Sequence, residues 1–534
     1  NKTNYLHKNS TDWTQFKVYL ETKINCNIPL KTPEQIELAV MNFTDIIQEA
    51  CWLATNQEEN ARNYLSLPAY ILQKIKLKRK LKSNWQKHKT QLNTAKEVKH
   101  LIQNHCNAEF HNYIANLSPK EDMNYSLWKG TKRLKRSTII LPAIKKKDLF
   151  RSPFEKANAF AEHLQNTFKP NTSSSTTVSP HHTVLPINEH LAQNIAPTTL
   201  KEVNQLTQET RVKKTPGYDM ISGRVLKEFP PKAIRMLTII FNAVLRIKYF
   251  PANWKVAQVI MLPKPKKDPH SPSSYRPISL LPIMSKLLEK IILSRMTKII
   301  DEEKLIPSHQ FVFRNKYATI EQIHRLTNKI YLALEQKKYC TAVFLDIEKA
   351  IDKVWHEGLL HKIGQNFPPS YHQLLKSYLD NRTFFVKIQD SVSGICNIEA
   401  GVPQGSVLAP IIYTIYTADL PTTNETSIFT FADDTAIIAT HSDSKIAHNM
   451  LQHHLLKIEQ WLSDWRMEVN SAKSNHITFT LKKGTLPPVT LNNVTIPQTK
   501  KVKYLGLHMD TRMTWKHHIK AKIDQIRIKR KQMY

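Results

Sequence analysis

The sequence is short of acidic residues, cysteine and glycine for its length. Its 534 residues include 44 aspartates and glutamates against 77 lysines and arginines, which gives a formal net charge of +33 at pH 7. Such an excess favours a polyanionic partner. The five cysteines are scattered without a CxxC pair, which argues against a disulfide framework and a zinc knuckle and indicates a reducing compartment. Glycine occurs only 10 times, where average usage would give roughly 37.

Long hydrophobic runs are also missing. No uncharged apolar run approaches the ~18 residues of a membrane-spanning helix, and no signal peptide opens the chain. A membrane surface would also attract a basic protein, but nucleic acid explains this charge better. The length suits about two to four domains or subdomains. Because the chain begins at Asn1 rather than Met and ends within a basic helical pattern, we expect a fragment of a longer protein.

Two short apolar runs flank the adjacent residues Asp433 and Asp434 in the segment SIFTFADDTAIIAT. Such runs predict two strands, and the short break between them predicts a hairpin with both aspartates at or beside its turn. Aspartate is common in turns because its side chain hydrogen-bonds to its own backbone, so this pair alone would be explained as structural. A third aspartate, Asp346, ends another predicted strand.

If these strand ends converge, their carboxylates form a hard-oxygen site for divalent cations. Mg²⁺ suits such a site because it is held by one or two carboxylates while substrate phosphates supply further ligands. In a two-metal arrangement, one ion activates the attacking oxygen and the other stabilises the leaving oxygen of an in-line phosphoryl transfer. The pattern therefore predicts metal-assisted phosphoryl transfer.

Two cations and one amide are candidate nucleotide ligands. Lys264 lies in the basic loop PKPKK and Arg276 in SSYRPISLL, and both side chains suit phosphate oxygens, although each alone is more often a surface cation. Gln404 lies among two glycines and two prolines in GVPQGSVLAP. Glycine permits close backbone approach, so the amide could touch a base or a sugar, but an ordinary tight turn before a helix is the alternative.

A long helical pattern from Leu67 to about Leu117 carries a cluster of positive charge. One explanation is a solvated helix face, and the other is a surface that follows nucleic-acid phosphates. The single sign of the cluster favours the second. The candidate nucleic-acid-binding residues here are Lys76, Arg79, Lys80 and Lys82.

Seven segments, taken in order, resemble the reverse transcriptase of non-LTR retrotransposons, particularly the jockey-like elements of insects. These segments are PANWKVAQVIMLPKPKKD, SSYRPISLLPIMSKLLEKII, HQFVFR, AVFLDIEKAIDKVWH, AGVPQGSVLAP, IFTFADDTAII and KVKYLGLHMD. They cover about residues 200–515 densely. The N-terminal 130 or so residues are similar to the stretch that follows the endonuclease in such proteins, and we expect the endonuclease and most of the thumb to lie outside this chain.

The resemblance implies an α+β fold, a right-hand polymerase of fingers, palm and thumb with a predominantly helical, basic N-terminal region. The implied activity is that of an RNA-directed DNA polymerase that copies element RNA into DNA. The implied domains are a basic helical region ending in a flexible loop (1–180), a fingers-side extension (181–245), fingers and palm (246–510) and the start of a truncated thumb (511–534).

The resemblance also implies a role for each candidate residue. The palm carboxylates Asp346, Asp433 and Asp434 would hold two Mg²⁺ ions, which Mn²⁺ could replace, and the backbone oxygen of Ile347 would join them. The residues that would face the nucleotide are Lys264 and Arg276 at the triphosphate, Gln404 at the template and nucleotide, Ile351 beneath the sugar and Lys473 near the leaving pyrophosphate. The residues expected at the primer grip are Lys503, Tyr504, Leu505 and Gly506.

The partners implied are an RNA template, a DNA primer and deoxynucleoside triphosphates, with no membrane. The resemblance implies action in the nucleus, with assembly of a ribonucleoprotein in the cytoplasm. The full-length protein is expected to carry an endonuclease domain.

The sequence departs from the family pattern at a few positions. The family usually has Phe at the position of Ile351, often His at that of Tyr317, and Gly at those of Met220, Lys266 and Val312. A glycine needed at positive φ is not exchanged cheaply for a β-branched residue. Two alternatives therefore stay open: a degenerate remnant that binds nucleic acid with little or no catalysis, and an intron-encoded maturase, which would need a splicing domain after the thumb. The intact set of aspartates favours the polymerase.

Overall fold

The computed structural model describes residues 6–7, 10–55, 69–88, 94–115, 141–145, 149–171, 194–265, 267–311, 318–482 and 487–531. The chain divides into two compact units, a larger one of residues 1–55 and 143–534 and a smaller one of residues 56–142. None of the described helices is long and apolar enough to span a membrane.

Helices make up most of the described secondary structure. Two of them, α3 (Ala69–His88) and α4 (Thr94–Ala115), pack together in the smaller unit. The helices of the larger unit are α1 (Trp13–Lys23), α2 (Pro33–Leu53), α5 (Pro153–Thr167), α6 (Leu200–Gln208), α7 (Gly223–Lys227), α8 (Pro231–Ile247), α9 (Ile283–Glu302), α10 (Thr319–Glu335), α11 (His356–Asn366), α12 (Pro369–Leu379), α13 (Ala409–Tyr416), α14 (Ser444–Asp464) and α15 (Lys516–Lys531).

The strands all belong to the larger unit. They are β1 (Ile144–Lys145), β2 (Leu149–Phe150), β3 (Val256–Pro263), β4 (Tyr275–Leu280), β5 (Tyr339–Asp346), β6 (Arg382–Ile388), β7 (Ser391–Val392), β8 (Cys396–Ile398), β9 (Thr426–Phe431), β10 (Asp434–His441), β11 (Asn475–Phe479), β12 (Thr490–Leu491), β13 (Val494–Thr495), β14 (Lys501–Tyr504) and β15 (Leu507–Asp510).

A four-stranded antiparallel sheet in the order β11-β5-β10-β9 lies at the centre of the larger unit. Strand β5 is buried along most of its length because both faces of the sheet are covered. On one face, Ala342 and Phe344 join a cluster that includes residues of α10 and β14, and on the other, Val343 and Leu345 join the large core with α14. The near-continuous apolar run of β5 follows from this double burial.

A second sheet of five strands follows the order β4-β3-β6-β7, with β8 also paired to β6. Strand β3 is antiparallel to β4 and parallel to β6. Helix α5 packs against this sheet, where Phe160 and Tyr275 meet edge to face with ring centroids 4.9 Å apart. The edge of the sheet at Pro263 and Tyr275 leads into the basic loop that contains Lys264.

The first two helices pack on α8 rather than standing apart from the larger unit. Helix α2 begins with Thr32 as its N-cap and Pro33 in its first turn, and it buries one apolar face, in which Phe43 meets Phe229 edge to face at 5.9 Å. The predicted domain bounds at 180, 245 and 510 stay predictions.

The scarcity of glycine leaves a mark on the backbone. Fourteen non-glycine residues of the described part have positive φ, against three glycines. Each such residue costs roughly 1–2 kcal/mol relative to glycine because its Cβ crowds the backbone. One of them is Met220 (φ 58), the position where the resembled family usually has glycine. The other two glycine departures, at 266 and 312, and the Tyr317 departure lie outside the described residues.

Candidate active site

Strands β5, β9 and β10 bring the three predicted carboxylates together. Asp434 pairs directly with Asp346 across β10 and β5, and it also pairs with Phe431 across the hairpin of β9 and β10. Between Phe431 and Asp434 the connection has only two residues, Ala432 at φ 56 and then Asp433. The predicted hairpin is confirmed, and its register places Asp433 and Asp434 next to the end of β5.

Burial and then mutual repulsion raise the pKa values of Asp433 and Asp434. Desolvation by burial is the largest cause that raises the pKa of Asp434. Repulsion from Asp433 and Asp346 adds to it, and the pKa rises to about 6. The pKa of Asp433 is also raised, first by desolvation and then by Asp346. Lys503 acts in the opposite direction on Asp434, and Arg276 does so on Asp433. The site is therefore a concentration of negative charge in an otherwise strongly basic chain.

A turn before β11 supports Asp346. The backbone N–H of Asp346 donates to Ser474 Oγ at 3.1 Å, and its carbonyl accepts from the N–H of Asn470 at 2.8 Å. The same turn delivers Lys473, whose Nζ lies 3.3 Å from Asp346 Oδ2 with most of its side chain exposed. The structure thus brings Lys473 next to Asp346, and its place near the leaving pyrophosphate stays a prediction. Ile347 follows Asp346 and forms an isolated bridge with Val469.

Within the described ranges, no group of three histidine, cysteine or acidic side chains is arranged to enclose a metal ion. The chemistry of the donors nevertheless fits a hard divalent cation, since Asp346, Asp433 and Asp434 offer carboxylate oxygens whose mutual repulsion a cation would relieve. The carbonyl group of Ile347 is next to them in the chain. Metal ligation by these residues stays a prediction.

Four cations lie near one another, and two of them, Lys473 and Arg276, act on these carboxylates. Lys264 follows β3, and Arg276 lies on β4 opposite Leu262. Burial lowers the pKa of Lys264, and positive charge on Arg276, Lys473 and Lys349 lowers it further. Such crowding of like charges prepares a site for an anion. The predicted clamp residues Lys264 and Arg276 therefore lie close enough to act on one ligand.

Lys349 was not predicted from the sequence. It lies in the turn after β5 with a left-handed backbone (φ 48), and its Nζ is 3.4 Å from Thr167 Oγ1 at the end of α5. A single lysine three residues beyond Asp346 gives no pattern of its own. The only signal was its closeness in the chain to Asp346.

The loop 401–405 is tightly packed on its neighbours. Gly401 has φ 84, and a Cβ there would lie 2.4 Å from the carbonyl oxygen of Asp352. Gly405 has φ 132, and a Cβ there would lie 2.4 Å from the carbonyl oxygen of Ser279. Both glycines are thus required by backbone conformation and by close approach. Gln404 lies between them, half-buried, with Nε2 2.8 Å from Asp352 Oδ1.

Ile351 lies beside this loop. It is half-buried against the large core, and its carbonyl oxygen accepts a hydrogen bond from the N–H of Val402 at 3.0 Å. Its place between the carboxylate strand and the loop of Gln404 is compatible with the predicted position beneath a nucleotide sugar. The packing explanation, in which Ile351 serves only the core, is compatible with the same contacts.

The predicted primer-grip residues form the hairpin of β14 and β15. Tyr504 is buried, its ring lies 5.4 Å from that of Phe344, and its hydroxyl donates to the carbonyl oxygen of Phe429 on β9 at 3.2 Å. Leu505 (φ 45) and Gly506 (φ 85) make the turn. Lys503 is exposed on the same hairpin, close enough to lower the pKa of Asp434.

The long helical pattern predicted from Leu67 to about Leu117 forms two packed helices, α3 and α4, and its predicted cluster of positive charge lies on α3. Lys76 and Arg79 are exposed on α3, whereas the side chains of Lys80 and Lys82 lie outside the described residues. Lys74 forms an ion pair with Glu97 of α4. Among the residues of this unit that the structure describes, that ion pair offsets only part of the charge of the helix.

Residues 263–509 match the family described as reverse transcriptase (RNA-dependent DNA polymerase). This segment contains every predicted carboxylate and nucleotide ligand. The segment is therefore similar to a reverse transcriptase domain. Sequence similarity to the polymerases of mobile elements extends beyond this segment and covers almost the whole chain.

Three relatives from Drosophila melanogaster define that group. The chain is 36% identical to "Probable RNA-directed DNA polymerase from transposon BS" over 96% of its own length and 59% of the relative's. It is 35% identical to the probable polymerase of transposon X-element over 95% of its own length and 58% of the relative's. It is 34% identical to the polymerase of mobile element jockey over 96% of its own length and 58% of the relative's. The resemblance to reverse transcriptases of non-LTR retrotransposons is thus confirmed. The chain spans about three fifths of each of these relatives.

Among solved structures, a telomerase from Candida tropicalis covers 48% of this chain and 54% of its own, with 14% identity and a TM-score of 0.34. That likeness is too weak to define details of the fold.

Proposed function

We propose that this chain is the polymerase part of a non-LTR retrotransposon protein and extends a DNA 3′ end on an RNA template. The observation that carries the proposal is the pairing of Asp346 with Asp434 beside Asp433 within a reverse transcriptase domain. Its expected partners are the RNA template, the DNA primer and deoxynucleoside triphosphates. Its expected place of action is the nucleus.

The charge distribution supports nucleotidyl transfer. This reaction depends mostly on positioning of the reactants and on stabilisation of charge that develops on phosphate oxygens. Lys264, Arg276, Lys349 and Lys473 would bind the triphosphate, and Lys473, 3.3 Å from Asp346, would lie nearest the bond that breaks. Opposite charges on the two sides of one site would orient the triphosphate with its reacting end towards the carboxylates.

Asp346, Asp433 and Asp434, with the carbonyl oxygen of Ile347, would hold two Mg²⁺ ions. When bound, the ions supply an activated attacking oxygen and stabilisation of the leaving oxygen. The repulsion that raises the pKa of Asp434 would be offset by this positive charge.

In this proposal the four-stranded sheet is the palm, the five-stranded sheet belongs to the fingers, and the hairpin of β14 and β15 is the primer grip. Helix α3 would bind nucleic-acid phosphates through its lysines and arginines. An endonuclease would belong to the full-length protein.

The alternative of a degenerate remnant is not favoured. The departures at Ile351 and Met220 leave all three aspartates, both clamp residues and Gln404 in place. An intron-encoded maturase is likewise not favoured, because the relatives named above are polymerases of mobile elements.

Primer extension tests this proposal. The purified chain should extend a DNA primer annealed to an RNA template when deoxynucleotides and Mg²⁺ are supplied. Asp346→Asn, which keeps the shape but removes the charge, should lose at least ~100-fold in rate while binding the template as the parent does. No extension by the parent, or extension near the parent rate by Asp346→Asn, would contradict the proposal.

A further inference from the structure

Asp352 is a buried carboxylate for which the proposed reaction has no role. Its exposed fraction is 6%, and it lies in the turn that follows Asp346. The charged groups that act on it are Lys349 and Lys264, which belong to the cation cluster of the candidate triphosphate site. Burial of a carboxylate costs free energy unless the carboxylate is hydrogen-bonded. The hydrogen-bond partner of Asp352 should therefore indicate the role of this buried charge.

That partner is Gln404, whose Nε2 donates to Asp352 Oδ1 at 2.8 Å. The backbone of the loop is held independently of this bond. Gly401 N–H donates to the carbonyl oxygen of Val354 at 2.8 Å, and Ser279 N–H donates to that of Gln404 at 2.8 Å. Because the backbone of the loop is fixed at both ends, the hydrogen bond to Asp352 controls the orientation of the Gln404 amide rather than the position of the loop.

The chemistry of the bond decides that orientation. An ionised carboxylate can only accept hydrogen bonds, whereas an amide has a donor end and an acceptor end. Gln404 must therefore turn its nitrogen towards Asp352, because the reverse orientation would set two acceptors against each other. Oε1 then points away from Asp352 and is left to accept a hydrogen bond from another group.

We propose that Asp352 is a positioning residue: by holding Nε2 of Gln404, it presents Oε1 as an acceptor for an O–H or N–H group of the incoming deoxynucleotide. This inference rests on the proposed function. In this proposal the affinity for the nucleotide depends on the hydrogen-bonded pair of Asp352 and Gln404, and not on Gln404 alone.

The charge of Asp352 offers a rival explanation with the opposite sign. If the carboxylate only offsets the positive charge of Lys264 and Lys349, its removal should strengthen binding of the triphosphate and lower KM. If it orients Gln404, its removal should raise KM. Asp352→Asn separates the two, because asparagine keeps the shape but can bond either end of the Gln404 amide.

The test is steady-state primer extension with deoxynucleotides on an RNA template. We expect Asp352→Asn to raise KM at least fivefold while kcat changes less than twofold. Gln404→Met, which keeps the length but removes both amide ends, should raise KM similarly without any change to Asp352. In the Gln404→Met background, Asp352→Asn should add less than a twofold change, because the group that it orients is gone.

A matched control is Asp219→Asn. Asp219 is also a buried aspartate (exposed fraction 3%), and its turn contributes no residue to the proposed site. It should leave KM unchanged. A fall or no change in KM for Asp352→Asn, no change for Gln404→Met, or independent effects of the two substitutions would each overturn the proposal. Failure of the parent to extend any primer would instead overturn the proposed function, and this inference with it.

Discussion

Two hairpins of the larger unit have the same kind of turn but differ in what surrounds them. The connection of β9 to β10 consists of Ala432 (φ 56) and Asp433, and that of β6 to β7 consists of Gln389 (φ 54) and Asp390. Each turn places an aspartate after a left-handed non-glycine residue. The turn geometry alone therefore does not make a site.

The difference lies in the neighbouring strand. Strand β10 pairs with β5, which ends at Asp346, so Asp433 is buried near a second carboxylate, and its burial and then that charge raise its pKa. Strand β7 has β6 as its partner and ends the sheet, and Asp390 is exposed in its turn. The comparison teaches that convergence of strands, rather than an acidic turn, creates the candidate active site.

The largest expected effect comes from the same substitution in both turns. Asp433→Asn should reduce RNA-templated primer extension at least ~100-fold, because a carboxylate proposed to hold metal is lost. Asp390→Asn should leave the rate within twofold. Equal losses in the two variants would break the comparison and indicate a general effect of acidic turns on folding, which circular dichroism would reveal.

The next effect concerns the cations near the first hairpin that are proposed to bind the triphosphate. Lys264→Ala and Arg276→Ala should each raise KM for deoxynucleotides about tenfold, since a charge-assisted hydrogen bond contributes roughly 1.5–3 kcal/mol. Lys267→Ala, in the same basic loop, is the matched control and should have little effect. An unchanged KM in both test variants would mean that Lys264 and Arg276 do not bind the triphosphate.

A similar factor is expected in selectivity at Ile351. Because isoleucine is shorter than the phenylalanine usual in the resembled family, space for a ribose 2′-hydroxyl should remain, and Ile351→Phe should raise the preference for deoxynucleotides at least tenfold. A factor of ten corresponds to about 1.4 kcal/mol of differential transition-state binding. The measurement is kcat/KM for matched deoxy and ribo substrates in both proteins. Equal ratios would mean that Ile351 serves only packing.

The smallest effect is expected outside both sheets, in α3. Neutralising Lys76, Arg79, Lys80 and Lys82 together should weaken RNA binding a few-fold and about equally for unrelated sequences. For single strands, the slope of log K against log[salt] should become shallower by up to roughly 0.7 for each phosphate that the variant no longer binds. The control is extension at saturating template, which should not change. Unaltered slope and affinity would identify α3 as a solvated helix face.

Alternation and apolar runs were enough to predict the strands β5, β9 and β10 and the hairpin of Asp433. The register was beyond the sequence, because the pairing of Asp434 with Asp346 depends on how two distant segments pack together. The same holds for the parallel pairing of β3 with β6, which also joins two distant segments of the chain.

Side-chain partners were harder still to predict. Gln404 was predicted from its glycine-rich loop, but its bond to Asp352 joins two segments that no local pattern relates. Lys349 owes its place to a left-handed turn for which lysine gives no signal. Contacts of this kind are set by packing, and single-residue propensities do not encode them.

Metal binding at the first hairpin is the central claim, and thermal unfolding tests it without any need for catalysis. At about ten times its dissociation constant, a ligand that binds only the folded state stabilises it by roughly 1.4 kcal/mol, which should raise Tm by about 2 °C. The account predicts that Mg²⁺ raises the Tm of the parent and of Asp390→Asn, relative to NaCl at equal ionic strength, but not that of Asp433→Asn. A shift of equal size in all three proteins, or none in the parent, would contradict it.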